Sequence, residues 1–150
     1  MPQSLARLHV HLVFSTKNRE PVITPAIELE LHRYMATMIR SAGCPSLAIN
    51  GTADHVHALF NLSRTKTVAD IVEVLKTKST QWVKDKGPIY RHFHWQGGYF
   101  AFSIGQSQVE VVKKYIARQK AHHRKRTFQD EMRLLFAKYL VKYDEKYVWD

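Results

Sequence analysis

Apolar and polar positions alternate from Leu8 to Ser15, with Leu8, Val10, Leu12 and Phe14 set against His9, His11 and Val13, and this period of two predicts a first strand. Lys17 to Pro25 is a polar connection. From Pro25 the spacing changes to that of a helix, through Ile27, Leu31, Tyr34, Met38 and Ile39, until Gly43 and Pro45 end it. Two short apolar stretches, Leu47 to Asn50 and His55 to Leu62, flank Gly51-Thr52-Ala53-Asp54 and read as a hairpin. Thr67, with Asp70 three residues on, opens a second helix whose buried stripe is Val68, Ile71, Val72, Leu75 and Trp82, ending near Lys86-Gly87-Pro88. Trp95 to Ile104 reads as a strand entered through Gly97-Gly98. Gln108 to about Arg126 reads as one helix with Val109, Val112 and Ile116 inward, and Phe128 to Tyr139 as a further amphipathic segment before the aromatic-rich Tyr143 to Asp150.

The order strand, helix, strand, strand, helix, strand predicts an α+β fold: a ferredoxin-like βαββαβ antiparallel sheet with helices on one face, plus appended C-terminal helices. With no linker, repeat or low-complexity run, residues 1–150 are expected to form a single domain.

Charge narrows the partners. Lys+Arg number 23 against 13 Asp+Glu, a formal net charge of +10, which favours a polyanion and nucleic acid first. An anionic membrane surface is second, but no apolar run is long enough to span a bilayer and no signal pattern precedes the first strand, so a cytoplasmic protein is expected. Cys44 is the single cysteine, which excludes an intrachain disulfide and a thiolate-rich zinc site.

Two short motifs carry the chemistry. His55 and His57, at i and i+2 on a strand, project to one face and can close on one cation. Histidines two apart on a strand are more often ordinary polar residues, and His9-Val10-His11 repeats the spacing with the same alternation, so periodicity does not separate the pairs. A metal-dependent amidohydrolase also uses His-x-His, but its barrel needs about 250 residues; a histidine-triad hydrolase would need a third alternating histidine where position 59 is Leu.

Tyr115 and Gln119, at i and i+4 on the predicted helix, share a face and present a phenol beside an amide oxygen. A tyrosine on an amphipathic helix is usually packing. Here Gln108, Tyr115, Gln119 and His122 fall on one narrow strip, flanked by Lys113, Lys114, Arg118, Lys120, Arg124, Lys125 and Arg126 with Glu110 the single acid nearby, which suits a phosphate backbone.

Together these residues resemble the HUH single-tyrosine transposases of bacterial insertion sequences, the TnpA type. The resemblance runs from about His11 to Asp150 through His11-Leu12-Val13-Phe14-Ser15-Thr16-Lys17, Asp54-His55-Val56-His57, Leu75-Lys76-Thr77-Lys78-Ser79-Thr80-Gln81-Trp82, Trp95-Gln96-Gly97-Gly98-Tyr99 with Phe102-Ser103, and Tyr115-Ile116-Ala117-Arg118-Gln119. It implies that His55, His57 and Gln119 hold Mg²⁺ or Mn²⁺, that Tyr115 is the nucleophile, and that His9-Val10-His11 is a decoy. It also implies single-stranded DNA with hairpin-containing element ends as substrate, a 5′-phosphotyrosine intermediate, and a homodimer, since one tyrosine cuts one strand and excision needs two cuts. Lys17, Arg19, Lys113, Lys114, Arg118, Lys120 and Arg124 are the expected DNA contacts.

Three alternatives remain open at this point. A non-catalytic RNA-binding sheet would stack bases on Phe100 and Phe102, although the usual basic aromatic strand segment is missing. A rolling-circle nickase shares the histidine pair and tyrosine but differs in motif order and usually carries further domains. A domesticated relative would cut host repeats instead of moving an element.

Overall fold

Strand β1 (His9–Ser15) runs antiparallel between β3 (His55–Asn61) and β4 (Phe100–Ile104), and β2 (Ser46–Gly51) pairs along the far side of β3, in a computed structural model that describes residues 2–150. With α1 (Pro25–Ser41) between β1 and β2, and α2 (Val68–Lys84) between β3 and β4, the sheet order β2-β3-β1-β4 is the expected βαββαβ arrangement.

The central strands are buried on both sides, so their alternation separates two cores instead of core from solvent. Val10, Leu12 and Phe14, with Val56, Ala58 and Phe60, pack beneath Ile27, Leu31 and Met35 of α1 and Ile71 and Leu75 of α2. Val13, Leu59, Phe102 and Ile104 face the other way, toward α3 (Val109–Ala117) and α5 (Phe128–Lys138). The appended helices thus cover the face that α1 and α2 leave bare. Strand parity places His9, His11, His55 and His57 on this second face.

Local chemistry starts the helices where the sequence indicates. Thr67 and Asp70 form a reciprocal capping box at α2, and the Thr127 hydroxyl accepts from the Asp130 amide at α5, caps that contribute about 1 kcal/mol each. Pro25 occupies the first turn of α1, and Gly43, at φ 84°, follows its end.

Two elements differ from expectation. The stretch from Trp95 becomes a strand only at Phe100, because its first residues are tied elsewhere. The Ser15 amide donates to Gln96 Oε1 at 2.8 Å, Trp95 Nε1 donates to Ser79 Oγ at 2.8 Å, and Lys76 Nζ donates to the carbonyls of Gln96 and Gly98, both at 2.7 Å. The helix expected from Gln108 to Arg126 breaks at Arg118 (φ −100°, ψ 18°) into α3 and a single turn, α4 (Gln119–His122). Asn50 Nδ2 donates to the carbonyls of Ile116 (3.0 Å) and Ala117 (3.3 Å), claiming the oxygens that a continuing helix would use. Among the described residues no helix is long and apolar enough to cross a membrane.

Candidate functional site

The β2–β3 hairpin places the first histidine. A Cβ on Gly51 would collide with the His55 backbone carbonyl, so glycine is required for the close approach of the two strands. The Thr52 hydroxyl donates to Asp54 Oδ1 at 2.8 Å, and Asp54 Oδ1 accepts from His55 Nδ1 at 2.6 Å. That bond fixes the ring and turns Nε2 inward, the arrangement in which a carboxylate orients a metal-binding imidazole.

The second histidine is held from β1. His57 Nδ1 and His11 Nε2 share a hydrogen bond at 2.8 Å, made possible because the antiparallel register sets His11 diagonally across from His57 on the same face. His11 is therefore part of the site. His9 is not: its Nε2 pairs with Gln106 Oε1 at 2.8 Å.

Glu131 of α5 occupies the centre. One of its oxygens lies 3.2 Å from His57 Nε2, 3.5 Å from His55 Nε2 and 2.9 Å from His123 Nε2. The other accepts from Gln119 Nε2 at 2.9 Å and from the Tyr115 hydroxyl. Gln119 Oε1 is 3.0 Å from His55 Nε2. His55, His57, Gln119 and Glu131 are all buried, and Tyr115 is half-buried with the His122 ring against it at 4.8 Å between centroids.

The charges follow from this packing. Burial alone would raise the Glu131 carboxyl, but the histidine bonds overcome it and hold the group far below the usual carboxylate range. Burial works against a charged His55, yet its bonds to Asp54 and Glu131 raise it to about 9, so a cation would have to displace a proton from its Nε2. His57, where burial prevails over Glu131, falls to about 4, and burial also lowers His11. Burial, and then the Glu131 charge, push the Tyr115 phenol well above its ordinary value.

The donor set fits a divalent cation. His55, His57 and Glu131 offer ligand atoms within 4.8 Å of one another, with the outer nitrogens of both rings already engaged. Gln119 lies in the same cluster, one shell of contact from both histidine and carboxylate.

The basic residues divide. Arg124 is exposed and lines an open cleft of about 490 Å³ with Lys125, Arg126, Asp54 and His123, directly over the His55 side of the cluster. Lys17 is exposed in a separate groove beside His94 and Gln96. Lys114 and Arg118 are exposed, whereas Arg19 donates to the Trp149 carbonyl, Lys120 pairs with Glu28 at 2.6 Å, and Lys113 faces Glu110 at 3.5 Å.

Sequence reading did not find Glu131, His123 or the role of His11. The signal for Glu131 was present: it sits between Phe128 and Leu135 on the inward stripe of α5, and an acid on an apolar face needs a partner. His11 and His123 carried no such mark, because their contacts are made across the sheet and from a loop.

Comparison with known proteins shows the fold and the family. A candidate transposase from Deinococcus radiodurans R1 shares the fold at a TM-score of 0.62 and 21% identity, over 79% of this chain and 98% of that one. A REP-associated tyrosine transposase solved with a REP hairpin shares it at 0.61 and 13% identity, over 82% of this chain and 73% of that one. No match is found among curated proteins. Residues 4–119 match the model of the family described as IS200-like transposases, and the chain belongs to that family of DNA transposases.

Proposed function

We propose that the chain cleaves and rejoins single-stranded DNA in a divalent-metal-dependent reaction, with Tyr115 as nucleophile and His55, His57 and Glu131, braced by Gln119, as the metal-holding cluster. The observation that carries this reading is that the Tyr115 hydroxyl rests on the same carboxylate that closes on both imidazoles. A tyrosine serving only as packing would have no reason to enter a buried cluster of titratable groups.

The residues' roles follow from their contacts. Asp54 and His11 hold the imidazoles with Nε2 turned inward. Gln119 bridges His55 and Glu131 and keeps them in register. Glu131 anchors the phenol, which burial and then this charge hold protonated before reaction. A divalent cation such as Mg²⁺ or Mn²⁺ supplies the positive charge that polarises a phosphodiester and offsets that carboxylate. The Tyr115 hydroxyl passes its proton to the Glu131 carboxylate that accepts its hydrogen bond as its oxygen attacks phosphorus, the bond to the 3′ oxygen breaks, and the departing oxygen takes up that proton by way of solvent to become a free 3′-OH. The 5′-phosphotyrosine conserves the bond energy, so attack by another 3′-OH restores a phosphodiester and frees the phenol.

The exposed cations Arg124, Lys125 and Arg126 lie where a DNA backbone would reach the cluster. A hairpin is bound by the REP-associated relative, and hairpin-containing ends are the substrate proposed here. Two copies would supply the two tyrosines that excision needs.

Incubation with Mn²⁺ and labelled single-stranded DNA from the flanks of its own gene, resolved on a denaturing gel, tests the reading. A covalent adduct lost in Tyr115→Phe and in His57→Ala is the expected result. Tight binding with no adduct under Mg²⁺ or Mn²⁺ would leave a binding module instead.

A further inference from the structure

An apolar slot of about 180 Å³ opens between α3 and α5 and shares Arg126 with the basic cleft. The buried Glu131 and His11 lie at its floor beside Tyr115, and Val112 and Leu135 form its walls. Val111 and Leu134, 54% and 53% exposed, stand at the mouth with the cations Arg126 and Lys138. The ring of Tyr139 closes one side, stacked on Phe102 at 4.7 Å and 19°. The slot borders Tyr115, Glu131 and His11, but its apolar walls and mouth take no part in the strand-cleaving chemistry above.

Resting on the reading of Tyr115 as the nucleophile, we infer that the slot takes the unpaired base of a nucleotide adjoining the scissile phosphate, and prefers a pyrimidine. Three observations lead there. Tyr115 itself lines the slot, so a strand presenting a phosphodiester to it brings its neighbouring base to the mouth. The walls are apolar, which suits a flat, uncharged ring, while Arg126 and Lys138 at the rim meet the flanking phosphates. A cavity of about 150 Å³ suffices for benzene, so this one matches a single six-membered ring more closely than a fused purine. The basic cleft of Arg124, Lys125 and Arg126 then follows the backbone, and Arg126, which lines both cavities, marks where the strand turns from one to the other.

The test maps the cleavage position on single-stranded DNA from the gene's flanks in Mn²⁺, then places an abasic site, in turn, at each of the nucleotides adjoining the scissile phosphate. Stacking of one base on an aromatic site corresponds to a loss of roughly fivefold to a hundredfold. The rate of adduct formation should fall within that range at one position, and a purine there should be slower than either pyrimidine. In Val111→Trp, which fills the mouth from an exposed position, and independently in Leu134→Trp, the intact substrate should fall to the abasic rate and the abasic substrate should lose nothing further. Adduct formation that is indifferent to every abasic position overturns the slot while leaving Tyr115 in place. An equal loss on intact and abasic DNA in both variants makes the slot structural and also overturns it. No adduct on any substrate removes the nucleophile reading, and the slot with it.

Discussion

Glu131 is the residue on which the centre depends, and its removal should be costly for a reason that can be worked out in advance. The carboxylate is 1% exposed and accepts from Tyr115, Gln119, His123 and His57, with the protonated His55 at 3.5 Å. Glu131→Ala leaves these donors facing a cavity and leaves His55 with Asp54 alone as its carboxylate partner. Breaking a buried, hydrogen-bonded charge cluster from one side costs about 3–5 kcal/mol. At about 2–4 °C per kcal/mol for a chain of this size, the melting temperature should fall by roughly 6–20 °C. Glu131→Gln keeps the shape and one acceptor oxygen, so its loss should be about half as large. Urea unfolding followed by tryptophan fluorescence reads both values, and unchanged m-values would show that the denatured state is not involved. The same samples with and without Mn²⁺ separate two roles: wild type should be stabilised by the ion and Glu131→Gln should lose most of that shift. If Glu131→Ala unfolds within about 1 kcal/mol of wild type, the buried cluster does not exist as described and the reasoning fails.

Three further outcomes follow from other contacts. Replacing His11 by Phe removes the partner of His57 Nδ1 and should weaken Mn²⁺ binding roughly tenfold to a hundredfold by calorimetry, whereas His9→Ala should leave it near wild type; equal affinities for the two variants would return His11 to a packing role. Burial lowers His32 from 6.5 to about 4, against the raising effect of Glu28, and its Nε2 has no hydrogen-bond partner among the described residues. Because the unfolded chain then binds a proton that the folded chain refuses, about 3 kcal/mol of stability, complete above pH 6.5, should be lost as pH falls to 4, and His32→Leu should show a shallower decline in urea titrations over that window; parallel declines would refute the assignment. Gly51→Ala drives a methyl group into the His55 carbonyl, so it should destabilise by about 1–3 kcal/mol and reduce Mn²⁺-dependent adduct formation, and a variant that melts and reacts like wild type would show that the hairpin tolerates the side chain.

Much of the fold was legible because it is set by local rules. The period-two alternation of Leu8 to Ser15, the Thr67–Asp70 box and the Pro25 start each act within a few residues, and α1, α2 and α5 appear within a few residues of where the pattern places them. The reading went astray where a distant group competes with the local preference. The Asn50 side chain takes the last carbonyls of α3 and ends a helix that the periodicity extends to Arg126, and Lys76, Ser79 and Ser15 hold Trp95 and Gln96 out of the strand expected there.

The site divides in the same way. Strand spacing sets out His55 and His57 but equally His9 and His11, which only the family resemblance separates, and Tyr115 and Gln119, expected at i and i+4 on one helix, lie on either side of the break at Arg118. That Tyr115 and the histidines meet at all depends on α3 and α5 covering the second face of the sheet, which no spacing encodes. Glu131, His11 and His123 enter only there, because a cluster of buried charges is assembled from whatever side chains the packing brings together, and its carboxylate must come from the helix that closes over it. The sequence by itself determines which residue types are available and on which faces they stand; the tertiary structure decides which of them share a hydrogen bond, since burial makes an unpaired polar group too costly to leave alone.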